Sequence, residues 1–300
     1  MIMRNFTSAL LTLPVIFSCT ESIDDAPDRD IIGFSISGCR GITAYPEDMT
    51  FSLSAHLDDG GPAITDYAWN VKMSQTNGIW KSDTPLFWMN GMDISFYAVI
   101  PYQNDTADER LRLHSAGESP AVIYSAPESS DGQIGILTAT DRRSSGTVAL
   151  DFRHINACIR FVCGREIQDG VSISEISLDG VYKKATYRIE SEQWQDIDCI
   201  GKCSISDIRF TMGSGIAVGD PISVRHFFLP PQETQAQISV SITDGGSNDI
   251  YTVPVGHTVW EAGKIYTYTI SYSGRKLTVS STESLMETGN HYIDDRDEIL

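Results

Sequence analysis

The chain has 300 residues, 41% of them hydrophobic, with 22 Lys and Arg against 40 Asp and Glu and a formal net charge of −18. So large an acidic excess repels phosphate backbones and anionic lipid surfaces, which excludes nucleic acid as a partner and a body lying flat on a membrane. The length exceeds that of one ordinary β-sandwich and suits two domains.

Residues 1–18 carry one charge, Arg4, then the apolar run Ala9-Leu10-Leu11-Thr12-Leu13-Pro14-Val15-Ile16-Phe17 and the small residue Ser18. That is the build of a secretory signal peptide. The run is shorter than the roughly 20 apolar residues that span a bilayer, and no later stretch reaches that length, so no transmembrane helix is expected. Ile16-Phe17-Ser18-Cys19 resembles the lipobox of bacterial lipoproteins, where cleavage before the cysteine precedes acylation of its thiol and amine. Cys19 is therefore the expected lipidation site, each buried methylene of its acyl chains contributing about 0.8 kcal/mol to membrane attachment. Residues 19–30 are acidic and contain Pro27. They read either as a plain flexible tether or as an acidic surface-export signal like that of some Bacteroidales lipoproteins.

Period-two alternation dominates the chain from there on, beginning with a first strand over Ile31 to Ser37. Phe51, Leu53 and Ala55 share a face, as do Ile94, Phe96, Ala98 and Ile100. Asp58-Asp59-Gly60-Gly61, Asn77-Gly78 and Asn90-Gly91 mark hairpins or loops between them. Trp69, Trp80 and Trp88 fall in this stretch. Trp69 is assigned to the core, while Trp80 and Trp88 are candidates for a glycan-stacking surface.

Val148, Leu150 and Phe152 make the next strand, after the polar break Thr140 to Gly146. The domain boundary is placed near residue 155, giving an N-terminal β-sandwich over 31–155 and a second over 156–280. The alternation resumes at Ala157, Ile159, Phe161 and Cys163, then at Val171 to Leu178, at Ile222, Val224 and His226 to Phe228, and at Ile238, Val240 and Ile242. Tyr251 to Val255, Ile265 to Tyr272 and Leu277 to Val279 complete it. No segment keeps a 3.6-residue period, so the fold class is all-β. Residues 281–300 are acidic, do not alternate, and read as a loosely docked tail.

With Cys19 acylated, Cys39, Cys158, Cys163, Cys199 and Cys203 remain, an odd number that leaves at least one thiol unpaired. On one strand, Cys158 and Cys163 would stand about 16 Å apart, too far to bridge. Gly201 in Cys199-Ile-Gly-Lys-Cys203 can turn the chain and set Cys199 beside Cys203, a candidate disulfide. The alternative is two small, partly buried thiols.

No nucleophile elbow, zinc-protease helix or phosphate loop is present. Gly213-Ser-Gly215-Ile-Ala-Val-Gly219 lacks the spacing of a dinucleotide loop. The six histidines are scattered, and the acidic run Asp294 to Glu298 lacks the glycine and alternation of a calcium loop. No catalytic residue, metal or cofactor is assigned, and the chain is not expected to be an enzyme.

Ile94-Ser-Phe-Tyr-Ala-Val-Ile-Pro-Tyr102, Asp151-Phe-Arg-His-Ile-Asn-Ala-Cys-Ile-Arg-Phe-Val162, Phe228-Leu-Pro-Pro-Gln232 and Trp260-Glu-Ala-Gly-Lys-Ile-Tyr-Thr-Tyr-Thr-Ile270 occur in that order. Together with the lipobox, this set resembles the fimbrillin family of Bacteroidales lipoproteins, which supplies the subunits of type V pili. The resemblance implies two transthyretin-like β-sandwich domains in tandem and a lipid-anchored place on the face of the cell outer membrane. It also implies assembly with other fimbrial subunits by strand donation, after a protease cuts beyond the first strand at an Arg or Lys. Arg29 and Arg40 are the candidate cleavage sites. Because 281–300 lack a donor strand's alternation, an accessory, tip or anchor subunit acting in adhesion or assembly is expected rather than a stalk subunit. Surface glycans or proteins are the further partners to expect, and a glycan-binding lipoprotein of a polysaccharide-uptake system is the alternative.

Overall fold

The computed structural model describes residues 30–37, 49–104, 108–165, 167–213 and 215–286. The regular structure of these residues is all strand except one 3₁₀ turn, Ser130–Gly132. In chain order the strands are β1 (Gly33–Ser37), β2 (Thr50–Asp58), β3 (Thr65–Thr76), β4 (Ile79–Ser82), β5 (Asp93–Ile100), β6 (Leu111–Leu113) and β7 (Ala121–Ser125). Next come β8 (Leu137–Arg143), β9 (Thr147–Asp151), β10 (Arg153–His154), β11 (Ala157–Cys163), β12 (Ser172–Arg188), β13 (Gln193–Ile205) and β14 (Phe210–Thr211). The last are β15 (Phe227–Leu229), β16 (Gln232–Thr234), β17 (Gln237–Asp244), β18 (Ser247–Pro254), β19 (Thr258–Trp260), β20 (Lys264–Ser273) and β21 (Lys276–Leu285).

The first sheet has eight strands in the order β10-β8-β5-β2-β3-β4-β1-β9. Its two ends belong to one run of chain. Thr147 to Asp151 pairs with β1 in parallel, and after Phe152 the same run pairs with β8 through Arg153 and His154. The sheet thereby closes on itself, which removes its open edges. The inward residues of β2 and β5, Phe51, Leu53, Ala55, Ile94, Phe96, Ala98 and Ile100, form its core with Phe152. β3 and β4 meet in the Asn77-Gly78 turn, with φ of 52° and 77°, the left-handed pair a tight hairpin requires. The outward face of β2 is buried too: Ser52 and Ser54 are covered, and their hydroxyls accept from the backbone N–H groups of Gln103 (3.0 Å) and Asn70 (3.1 Å).

A second, larger core lies between a four-stranded sheet, β15-β11-β20-β21, and a seven-stranded one in which β12 is flanked by β17 and β7 on one edge and by β13 and β14 on the other. The segments that carry the family resemblance fix this part through single side chains. Asn156, fully buried, accepts from the Ile136 N–H at 2.8 Å. Gln232 fills the gap on the β12 edge between β17 and β7. Its carboxamide accepts from the Tyr182 N–H (2.8 Å) and donates to the Tyr182 carbonyl (2.9 Å), in place of a strand's backbone. Gly263, at φ 71°, turns the chain into β20, and the buried Trp260 donates through Nε1 to the Tyr268 hydroxyl at 3.1 Å.

Three expectations change. Leu111–Ser125 falls inside 31–155 in sequence, yet β7 pairs with β12 from Ala121↔Arg188 to Ser125↔Lys184 and joins the second core, so the expected boundary at 155 does not separate the two sheets. The strand expected from Ile222 is confined to Phe227–Leu229, because Ile222 donates to the Phe161 carbonyl (3.1 Å) and Val224 then turns out to solvent. Residues 281–286 are not the loosely docked tail expected from 281. β21 pairs with β20 through Leu285, and Met286 is buried with its N–H on the Gly263 carbonyl (2.7 Å). Its lack of alternation reflects both faces lying open to solvent, since Ser280 to Leu285 are all exposed.

Candidate functional site

β1 is held unevenly in the first sheet. It pairs with β9 over five positions, from Gly33↔Thr147 to Ser37↔Asp151, but with β4 only at Phe34↔Trp80. Ahead of it, Ile32 donates to the Leu86 carbonyl (2.8 Å) and Trp88 donates to the Asp30 carbonyl (2.9 Å). Ile32 is buried, whereas Phe34 and Ile36 are half-buried and pack onto the core, Phe34 edge-on to Phe96 at 5.9 Å. Beneath them Phe51 lies 5.1 Å from Trp80 and 5.4 Å from Phe152, and Trp88 lies 6.0 Å from Phe96. Withdrawing β1 would leave an apolar groove between β4 and β9, flanked by unpaired backbone, the arrangement that accepts an added strand.

This geometry corrects the tryptophan assignment. Trp80 is 5% and Trp88 8% exposed, both sealed by β1 and its lead-in, so neither offers a face to a glycan. Trp69, assigned to the core from sequence, is the exposed one at 37%. The cause is the register: β2 and β3 slip between Leu53 and Ala55 and again at His56, and Asn70 adopts φ 47° in the resulting bulge. A bulge of this kind re-aims a side chain that alternation alone would place inward.

The expected Cys199–Cys203 bridge is also corrected. Gly201 lies within β13 opposite Val181 and makes no turn, so the two cysteines sit four residues apart on one strand, about 13 Å, well beyond bridging distance. Both thiols are free, Cys199 exposed and Cys203 buried. Cys158 and Cys163 share β11, and both are free and buried. Burial pushes the Cys158 thiol up to about 12 and the Cys203 thiol up to about 11, so neither is a nucleophile at neutral pH. Cys19, Arg29, Cys39 and Arg40 lie outside the described residues, as do 287–300.

Polar side chains gather where the two cores meet. His56 Nε2 stands 3.2 Å from Asp66 Oδ1, and the His56 ring lies 5.2 Å from Tyr97 and 6.0 Å from His114. The Tyr97 hydroxyl donates to Glu190 at 2.8 Å. Desolvation by burial lowers the affinity of His56 for a proton, against the pull of Asp66 and Glu190. Burial lowers that of His114 as well, reinforced by His56. Nothing in the chain order hints at this pairing, since the two histidines belong to segments far apart in sequence. No group of three or more His, Cys, Asp or Glu among the described residues has metal-binding geometry, and no helix among them is long and apolar enough to cross a membrane.

Residues 41–285 match the fimbrillin-like family model. No curated protein sequence matches the chain. Among solved structures, a fimbrial protein from Bacteroides vulgatus superposes with a TM-score of 0.63 at 15% identity, over 85% of this chain and 99% of that one. Two described as putative cell adhesion proteins behave similarly. The one from Bacteroides ovatus gives 0.63 at 13% identity over 86% and 98%, and the one from Bacteroides uniformis gives 0.58 at 14% over 85% and 98%. At such identities the likeness is one of fold, and it is the family model's span that assigns the chain to the fimbrillin-like family.

Proposed function

We propose that the chain is a lipid-anchored fimbrial component of the cell surface, an accessory, tip or anchor subunit acting in adhesion or pilus assembly by exchange of its first strand. The observation that carries this reading is β1, a strand held on one side by five register pairs and on the other by one, above an apolar core. Cleavage after Arg40 would sever β1 from β2, while cleavage after Arg29 would free only the tether. With β1 severed and withdrawn, the seam between β4 and β9 accepts a strand through backbone pairing, with side-chain pockets over Trp80 and Phe96 giving selectivity. β21 is already committed to β20 along ten positions, so it does not serve as a free donor, and this favours an accessory place over a stalk. Cys19 supplies the anchor and the acidic stretch to residue 30 the tether, with the outer membrane and other fimbrial subunits as partners. No enzymatic activity or cofactor is proposed.

Limited treatment of the purified mature protein with a trypsin-like protease tests the assembly step. Higher-order species should appear together with a cut after Arg40. A clean cut with only monomer remaining would overturn strand exchange. Anchoring is tested separately: a Cys19→Ala chain should leave the membrane fraction, and its continued sedimentation with outer membrane would overturn lipidation at this residue.

A further inference from the structure

We propose that the groove between the β3 bulge and the turn after β6 is a binding site for one pyranose residue of a surface glycan. The groove encloses about 310 Å³, the low end of the range for small-molecule sites, and it lies at the junction of the two cores, a common place for such sites. Trp69 forms one wall. Its indole is held in place by donation from Nε1 to the His114 carbonyl at 3.0 Å, so an aromatic surface stands exposed without freedom to collapse. Asn70 fixes the floor by donating from Nδ2 to the Gln103 carbonyl at 2.7 Å.

The rest of the lining includes several polar side chains beside Leu113, Ala116 and Ile123. Arg112 is exposed and makes no ion pair or side-chain hydrogen bond among the described residues, unlike Arg110 beside it, which is held by Asp108. Gln103 spends Nε2 on the Leu111 carbonyl (3.0 Å) and keeps its carbonyl oxygen. Ser115 and Glu118 are exposed on the turn, with one Glu118 oxygen accepting from the Ser115 N–H at 3.3 Å and the other available.

One aromatic side chain in the same groove as a fork of donors and several acceptors matches a sugar ring, which carries an apolar C–H face and a rim of hydroxyls that both donate and accept. Arg112 and Glu118 balance each other in charge, which favours a neutral sugar over an acidic one. The space suits a single ring and not a peptide strand. The bulge that breaks the β2–β3 register is what sets Trp69 on this groove.

The inference needs this face to meet the exterior, as the proposed surface location provides, but it does not need strand exchange. The test uses the mature full-length chain carrying Cys19→Ala and saturation-transfer NMR with the methyl glycosides of glucose, galactose, mannose and N-acetylglucosamine. At least one should show saturable transfer to its ring C–H protons. Arg112→Ala, a change at an exposed position, should weaken that binding about tenfold through loss of a charged donor. Trp69→Ala should abolish it. Should Trp69→Ala fail to fold, Arg112→Ala decides alone. Absence of saturable transfer from all four glycosides, or equal binding by the Arg112→Ala chain, overturns the proposal. Polymer formation after proteolysis is unaffected by either result, so this proposal and the assembly reading fail independently.

Discussion

A histidine ring shut away from water holds a proton less well than a free one, and His56 and His114 are shut away together, 7% and 5% exposed. Their proton affinity in the folded chain lies below the ordinary 6.5, which the unfolded chain retains. The unfolded state therefore takes up protons first as the pH drops. The stability contributed by the neutral pair is complete above about 6.5 and is lost as the pH falls from there towards the lowered folded values. Urea midpoints should thus be lower at pH 5.5 than at 7.5, a range in which ordinary carboxylates stay ionised, and His114→Gln should flatten the difference. An unchanged slope in that variant would refute the assignment. Gln232 is a second residue with a calculable role. Gln232→Ala leaves the Tyr182 N–H and carbonyl unpaired at a sheet edge and should cost about 1–3 kcal/mol by urea denaturation. Gln232→Glu should be destabilising too, because a carboxylate can accept from the N–H but cannot donate to the carbonyl. The sequence marks Phe228 to Gln232 as one segment of the family resemblance but cannot disclose this use, since Tyr182 is 50 residues away.

At the scale of elements, β1 is where folding and the proposed function coincide. Its inward residues are worth about 1.5–3 kcal/mol each when fully buried, and two of the three are only half-buried. Removing residues 30–37 should therefore cost about 3–5 kcal/mol, raise the binding of an apolar dye, and be reversed by a synthetic peptide of the same eight residues. Equal dye binding with and without the strand would show that the seam does not open onto the core. Strands were largely legible from alternation: β2, β5, β11, β17 and β20 lie where the apolar residues recur, because each has one face on a core. What alternation cannot supply is the covering element. Trp80 reads as a hairpin tryptophan free to face outward, and only β1, 46 residues upstream of it in the ladder, closes it over. Gly201 misleads for a related reason. A Cβ there would stand 2.8 Å from Lys183 Cε, so the glycine makes room for a neighbouring strand's side chain and does not make a turn. The turn of that hairpin lies at Ile189 to Glu192, where Glu192 takes the left-handed conformation.

At the scale of the whole molecule, the two cores do not sit on separate lengths of chain. β6 and β7 leave the first sheet after β5 and complete the sheet of the second core, and the chain then returns to form β8, β9 and β10. Tyr97 and Val99 of β5 belong to the second core although their strand belongs to the first sheet. Trp69 donating to the His114 carbonyl and Tyr97 donating to Glu190 tie the surfaces across the same junction. A segment exchanged in this way makes the stability of one sheet depend on the other, so the molecule should unfold in one transition. Leu111 is fully buried in the second core, and Leu111→Ala should cost about 2–5 kcal/mol there. Hydrogen exchange followed peptide by peptide distinguishes the cases. In a coupled molecule, amides of β2 and β5 lose protection in step with those of β12 and β20. If only β12 and β20 lose it while β2 and β5 keep theirs, the hairpin is a local graft and the coupling is wrong. Coupling also has a consequence for assembly. A strand exchanged at β1 acts on the same cooperative unit that carries the Trp69 groove, so proteolytic removal of β1 should lower protection around Trp69 and His114, and a strand donated into the seam should restore it.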